Sequence, residues 1–418
     1  MKQLLVFTNS FPFGKGEQFL ETESLYWTEF FDRVTLIPAT LGGVQRDLPP
    51  GVLVDTSFSQ FRAGLWRKLP HALFRAMLYF PREAVDNRLK PVMPRGFFRY
   101  LRFWREAMIT REWLWQNLGT QDARQPTPKA TVIYTYWLSG RTLGAEFFGK
   151  RTGAKVVSRV HGSDLYEEVH QPPYLPMRVA VLRGADKIFA VSKYGADYLR
   201  GKFVRGRFDE LGSKITIARL GVSDRGALTA PSTDGKLRIV SVSSLIPLKR
   251  IHLIIEGLRT LANERPDVVI EWHHFGDGPL RPVLEKLASS LPRSIQPHSH
   301  GLVPNASLFE FYRDNPVDVF VNVSVSEGVP VSIMEAQSCG IPVIATAVGG
   351  TPEIVSDDNG VLLDPNPTPS QIAHAILRVK ESSASRNMRE QSRKTWCQVC
   401  EANRNYRDFC ASLAALIE

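Results

Sequence analysis

The chain has 418 residues, 43% hydrophobic and 22% charged, with a formal net charge of +10. Those values exclude a disordered or collagen-like polymer, and the length exceeds what one hydrophobic core organises, so two domains are expected. Four cysteines, Cys339, Cys397, Cys400 and Cys410, are too few and too clustered for a disulfide framework, and the Cys397/Cys400 pair lacks a second pair or a nearby histidine to complete a zinc site.

From the amino end, residues 3–7 read as a buried strand, residues 9–16 as a turn-rich loop and residues 17–30 as a helix. The apolar start is too short for a signal-peptide core and no later run reaches bilayer-spanning length, so a cytoplasmic protein is expected. Residues 61–115 hold twelve Lys and Arg against Glu83, Asp86, Glu106 and Glu112, a local balance of +8, interleaved with Trp66, Phe74, Leu78, Phe98, Trp104, Trp113 and other large apolar groups. Such a stretch suits the anionic inner face of the cytoplasmic membrane, as a peripheral contact, or a helical layer whose aromatics are core. Helical spacing alone does not separate the two. Nothing else in the chain resembles a nucleic-acid-binding motif, so no nucleic-acid partner is expected.

Further strands are expected at 132–136, 156–160 and 188–191, each separated by room for a helix, which implies a parallel, doubly wound sheet. Residues 223–236, rich in Ser, Thr, Gly and Asp, read as a linker. A second alternating series follows with strands at 237–241, 268–275, 317–322 and 342–346. The fold class is therefore α/β: two Rossmann-like doubly wound parallel-sheet domains, 1–225 and 236–395, facing across a cleft. A last helix at 395–416 carries Trp396, Tyr406, Phe409 and Leu413 near one face, and 396–418 forms a closing segment.

In such sheets ligands bind beyond the carboxyl ends of the strands. Those ends carry Gly14-Lys15-Gly16-Glu17, His161-Gly162-Ser163-Asp164, Lys249, Gly276-Asp277-Gly278 and Ser326-Glu327-Gly328-Val329-Pro330. Glu327 falls on a loop and Glu335 in the first turn of the helix after it, where free amides and the helix dipole favour a diphosphate. Ser332 and Glu335 also have capping-box spacing, in which Glu335 would only close its own helix. His161 after a strand reads equally as a structural hydrogen-bonder, and Gly276 and Gly278 as turn residues.

The segment from Ser326 to Ala336, continuing through Cys339-Gly340-Ile341-Pro342 to Gly349-Gly350, resembles the donor-site signature of family 4 retaining glycosyltransferases with the GT-B fold. The resemblance implies that Glu327 meets the donor sugar, Glu335 the nucleotide ribose, and the amides of Gly328 and Val329 the sugar. Val242 to Lys249 is similar to the segment that supplies a basic pair to the diphosphate. Lys249 matches one member, Ser244 stands where the family usually has arginine, and Arg250 is an alternative cation. His161-Gly162 resembles the family's histidine near the transferred sugar, and Gly276-Asp277-Gly278-Pro279 its nucleotide-side loop. Phe11 to Phe19 resembles the opening of transferases that build capsular, exopolysaccharide or lipopolysaccharide chains, which puts Gly14, Lys15, Gly16 and Glu17, with Asp164, on the acceptor side. No Gly-Lys-Ser/Thr completes a nucleotide-hydrolase loop there.

These similarities imply a hexosyl transferase that uses a UDP- or GDP-sugar as co-substrate, with no further cofactor, and a saccharide or lipid-linked saccharide acceptor in surface polysaccharide biosynthesis. The closing helix would cross back onto the first domain. The sequence contains no Asp-x-Asp, so no metal bridge to the diphosphate is expected. Rival readings are a glycoside hydrolase using Glu327 and Glu335, a GT-B-like sugar-nucleotide epimerase, and a catalytically silent sugar-nucleotide-binding partner of a polysaccharide assembly complex.

Overall fold

The run Gln3–Thr8 is buried at every position, as a strand must be when helices cover both faces of its sheet. It forms β1 of a seven-stranded parallel sheet with β2 (Arg33–Pro38), β3 (Val52–Val54), β4 (Thr131–Thr135), β5 (Lys155–Val160), β6 (Lys187–Ala190) and β7 (Ile215–Ile217). The order is β3-β2-β1-β4-β5-β6-β7. A second parallel sheet contains β8 (Leu237–Val242), β9 (Ile270–Phe275), β10 (Ile295–Gly301), β11 (Val319–Asn322), β12 (Val343–Thr346) and β13 (Gly360–Leu363), in the order β10-β9-β8-β11-β12-β13. The computed structural model describes residues 1–14, 16–63, 69–118, 128–204, 206–381 and 385–418. It divides into Met1–Arg219 with Asn403–Glu418, and Leu220–Ala402.

Crossover helices dictate the parallel arrangement. The helix Ile251–Glu264 between β8 and β9 buries Ile251, Ile254, Ile255, Leu258, Leu261 and Ala262, one stripe at helical spacing, against Leu237, Ile239 and Ile270 of the sheet. In each sheet the winding reverses once, between β1 and β4 and between β8 and β11. Those two reversals leave crevices at the carboxyl ends of the strands.

Two expected boundaries change. In place of one helix over 17–30 there is a short helix, Phe19–Glu23, and a tighter 3-10 turn, Ser24–Glu29. Glu17 is held out of the helix at φ 55, because its carboxylate is drawn onto the loop after β1. The single helix expected over 395–416 is a helix Ser385–Thr395, a π turn Trp396–Cys400 and a helix Ala402–Ala414. Trp396, Tyr406, Phe409 and Leu413 are all buried. Trp396 packs in the second unit and the other three in the first. Strands β2, β3, β7, β10 and β13 add to those read from the sequence.

Residues 223–236 contain no helix or strand, yet they are tied to the second unit. Thr229 N–H donates to Cys339 O at 3.1 Å, Val317 N–H to Ala230 O at 3.0 Å, and Ser232 donates twice to Asp318 at 2.8 and 2.7 Å. In the basic stretch, where residues 64–68 lie outside the described ones, the helices are Ser57–Ala63, Leu69–Asp86 and Pro94–Leu118. Its aromatics divide: Tyr100, Phe103, Trp104 and Trp113 are core, whereas Phe74 and Phe98 are exposed. Among the described residues no helix is long and apolar enough to cross a membrane.

Candidate active site

The second sheet's reversal point gathers three loops. After β8 the chain makes a tight turn, Pro247–Lys249, and Arg250 takes a left-handed conformation at φ 49 before the helix Ile251–Glu264 starts. After β11 comes the loop that bears Glu327. The two are stitched together: Val325 N–H donates to Leu248 O at 2.9 Å, and Lys249 Nζ meets Glu327 Oε1 at 2.5 Å. Asn322 Nδ2 also donates to that oxygen at 3.4 Å. Both charged side chains are mostly shielded, at 21% and 11% exposure.

The guanidinium of Arg250 is committed elsewhere. It donates to Val323 O at 2.6 Å, Ser324 O at 3.0 Å, Pro365 O at 2.8 Å and Asn366 Oδ1 at 3.2 Å. Buried on neutral oxygens, it is held below the usual arginine range and acts as a strut behind the loop that presents Glu327. Ser244 is exposed on the β8 loop.

The third loop follows β12. Gly350 N–H donates to Gly328 O at 2.7 Å. Gly349, at φ +55, lies so close to Glu327 that a Cβ would sit 1.8 Å from the Glu327 carbonyl oxygen. Only glycine permits that approach. The pair Gly276 and Gly278 does similar work after β9, where a Cβ would fall 1.9 Å from Ser243 O and 2.6 Å from Leu245 O. They clasp the β8 loop, and Leu245 N–H donates to Asp277 O at 3.0 Å.

The helix after Glu327 is Val331–Ser338, with Pro330 as its N-cap and no side-chain cap. Glu335 therefore sits in its second turn, not the first, and the capping box with Ser332 does not form. Pro330 starts the helix two residues earlier than Ser332 would. Glu335 Oε1 instead accepts from Asn305 Nδ2 at 2.7 Å, and burial pushes its carboxyl up to about 7. Val329 is buried while Gly328 stays half-exposed.

At the first sheet's reversal the loops after β1, β4 and β5 meet. Glu17 Oε1 accepts from Asn9 N–H at 2.8 Å and Trp137 Nε1 at 2.6 Å, and Oε2 from the N–H groups of Ser10 and Phe11 at 2.8 and 2.9 Å. Gly14, at φ +68, abuts the Gly42 carbonyl, and Arg46 donates to Gly16 O. Lys15 lies outside the described residues.

His161 follows β5 directly, its ring held between Tyr136 at 4.5 Å and Trp137 at 4.6 Å. Neither ring nitrogen has a hydrogen-bond partner, and burial, helped by Arg159, keeps it neutral far below the usual histidine range. Asp164 accepts from His161 N–H at 2.6 Å and Leu138 N–H at 2.7 Å. Burial nevertheless pushes its carboxyl up to about 7.

The geometry thus joins Lys249 with Glu327, and His161 with Asp164. It adds residues that the sequence did not flag: Asn322, Asn305 and Trp137. Asn305 follows β10, whose polar run Gln296, His298, Ser299 and His300 around Pro297 hides a strand. Asn322 closes a strand that was read, and its nearness to Glu327 was the available signal. Among the described residues no three His, Cys, Asp or Glu side chains are grouped to hold a metal ion.

Residues 229–395 match the family model for glycosyl transferases group 1. The Escherichia coli protein WcaL, assigned to colanic acid biosynthesis as a glycosyltransferase, is 29% identical over 224 residues, 50% of this chain and 52% of that one. The amylovoran biosynthesis glycosyltransferase AmsK of Erwinia amylovora is 26% identical over 184 residues, 41% of this chain and 43% of that one. The chain thus spans about half the length of either relative. The crystal structure of Anabaena HepE in complex with UDP and glucose superimposes over 99% of this chain and 100% of that one, with a TM-score of 0.64 and 15% identity. The fold is GT-B.

Proposed function

We propose that this chain is a retaining glycosyltransferase of surface polysaccharide biosynthesis, moving a hexose from a nucleotide diphosphate sugar to a saccharide or lipid-linked saccharide. The observation that carries the reading is the Lys249–Glu327 pair at the second sheet's reversal point. It sets one cation and one carboxylate side by side beside a helix start, with Glu335 one turn and a half further on.

Cleaving a sugar to phosphate bond develops positive charge on the ring and negative charge on the departing oxygens. Lys249 and the first amides of the helix Val331–Ser338 suit the negative side. Glu327 and the amides of Gly328 and Val329 suit the sugar, and Glu335 with Asn305 suits the ribose hydroxyls. The bond from the anomeric carbon to the diphosphate breaks as the bond to the acceptor hydroxyl forms on the same face. The hydroxyl proton passes to the departing phosphate oxygen, so no protein nucleophile is needed. His161, neutral and unpartnered, offers a ring nitrogen to a sugar hydroxyl, and the Gly14 to Glu17 loop with Asp164 shapes the acceptor side. HepE binding UDP and glucose favours a uridine donor, and a guanosine donor is the other arm of the test.

The test is nucleotide release from a panel of UDP- and GDP-sugars, with and without membrane extract, by the intact chain and by Glu327→Ala. Release that requires one donor together with the extract, and is lost in the variant, is the expected result. Nucleotide binding without release from any donor would sink the reading and leave a silent sugar-nucleotide-binding protein.

A further inference from the structure

Among the described residues the contacts of the helix Leu69–Asp86 lie on one side. Ala76 is buried there, Phe80 meets the rings of Phe97 at 5.6 Å and Tyr100 at 5.3 Å, and Tyr79 stacks on Trp104 at 5.2 Å. Tyr100 Oη donates to Ala76 O at 2.7 Å, while Glu83 accepts from Tyr174 Oη at 2.8 Å and Met177 N–H at 2.7 Å. These contacts fix the helix's rotation about its own axis. Positions 74, 77, 78, 81 and 85, which share one face by their spacing, must then point outward.

That outward face is apolar. Phe74 is 64% exposed, Met77 68%, Leu78 61% and Val85 73%, with Pro81 exposed between them. Phe98, 69% exposed, extends it from the next helix and touches Phe97, which in turn meets Phe80. Residues 69–105 contain eight Arg and Lys against two acids, and one of the acids, Glu83, is turned inward. Arg82, Arg88, Arg95, Arg102 and Arg105 are exposed.

A stripe of large apolar side chains left in water marks an interaction surface, and its surroundings say which. Basic flanks repel a second copy of the same face, and a nucleic acid would leave the apolar crest uncovered. An anionic bilayer uses both, since apolar groups enter the acyl boundary while guanidinium groups meet lipid phosphates. We propose that the outward face of the helix Leu69–Asp86, together with Phe98, docks the chain on an anionic lipid bilayer, with the helix lying along the surface. The proposal goes beyond sugar transfer, because vesicles free of saccharide and nucleotide test it.

The experiment is co-sedimentation of the full chain with vesicles of phosphatidylcholine alone, or with about a third phosphatidylglycerol. Binding should be more than about tenfold stronger to the anionic vesicles and should weaken with salt. The variant Phe74→Ser, Met77→Ser, Leu78→Ser should lose more than about tenfold in vesicle affinity. Arg82→Gln, Arg88→Gln, Arg95→Gln should erase the preference for anionic lipid. All six side chains are exposed or flank the exposed face, so circular dichroism and UDP affinity should stay unchanged, which separates this inference from the transfer reading. A folded chain that ignores anionic vesicles, or a serine variant that binds them as well as the parent, would overturn it. So would self-association that the serine variant abolishes in the absence of vesicle binding.

Discussion

The two reversal points share a topology and differ in how their charges are satisfied. In the first unit the polar side chains are consumed by their own loops: Glu17 takes three backbone N–H groups and an indole, and Asp164 takes two N–H groups. His161 keeps both ring nitrogens without a hydrogen bond, as does the hydroxyl of the neighbouring Tyr136. In the second unit Arg250 is consumed in the same way, but Lys249 and Glu327 satisfy one another. A carboxylate bound by backbone amides is scaffold, since releasing it unravels the loop. A lysine paired with a carboxylate can exchange that partner for a phosphate without disturbing the backbone.

Removing the exchangeable cation should have the largest effect. Lys249→Ala is expected to lower turnover about a hundredfold, as the loss of about 3 kcal/mol of transition-state stabilisation requires. Steady-state kinetics with the preferred donor measures it. A loss under about threefold would mean that the second unit's pair is scaffold too, and the contrast between the units would fail.

Next in size is a pH effect at Glu335. If Glu335 holds the ribose as proposed, its carboxyl, raised to about 7, accepts both ribose hydroxyls best when ionised, so UDP affinity should fall by up to about tenfold between pH 8 and pH 6. Calorimetry across that range tests this, and Glu335→Gln should flatten the dependence. For folding the sign is opposite. A carboxyl raised in the folded state adds stability that is complete below its unfolded value and is lost as pH rises through about 7.

Glu17→Gln sharpens the first unit's side of the contrast. Losing charge-assisted bonds to the amides of Asn9, Ser10 and Phe11 should cost about 1–3 kcal/mol in urea unfolding. The acceptor's KM should rise several-fold while UDP affinity holds. The smallest expected effect is none: chelation by EDTA should leave turnover unchanged, because Lys249 and helix amides carry the diphosphate charge in this reading. A tenfold drop on chelation would move that duty to a divalent ion.

Much of the second unit was legible because its strands are continuous apolar runs followed by glycine-bearing loops. Glu327 and Lys249 stood out as charges placed just after such runs, and the structure pairs them. Asn305 did not stand out, because β10 is an edge strand whose exposed His298, Ser299 and His300 carry no apolar signal. Glu335 was misplaced by one turn, since Ser332 looked like a cap and Pro330 takes that position. The helix over 17–30 was broken by Glu17, whose four hydrogen bonds from loop and indole outweigh local helix propensity.

By itself, then, the sequence determined the alternation of strands and helices, hence two parallel sheets, and the loops at whose strand ends the charged residues stand. Periodicity and burial are local properties that a one-dimensional pattern carries. The tertiary structure decided which charges are free. It turned Arg250 inward as a strut, left Lys249 with Glu327, and split the aromatics of the basic stretch into a core of Tyr100, Phe103 and Trp104 and an outward stripe of Phe74, Met77 and Leu78. Those outcomes depend on partners tens of residues away, and the rotation of a helix about its axis is set only when both packed faces are present.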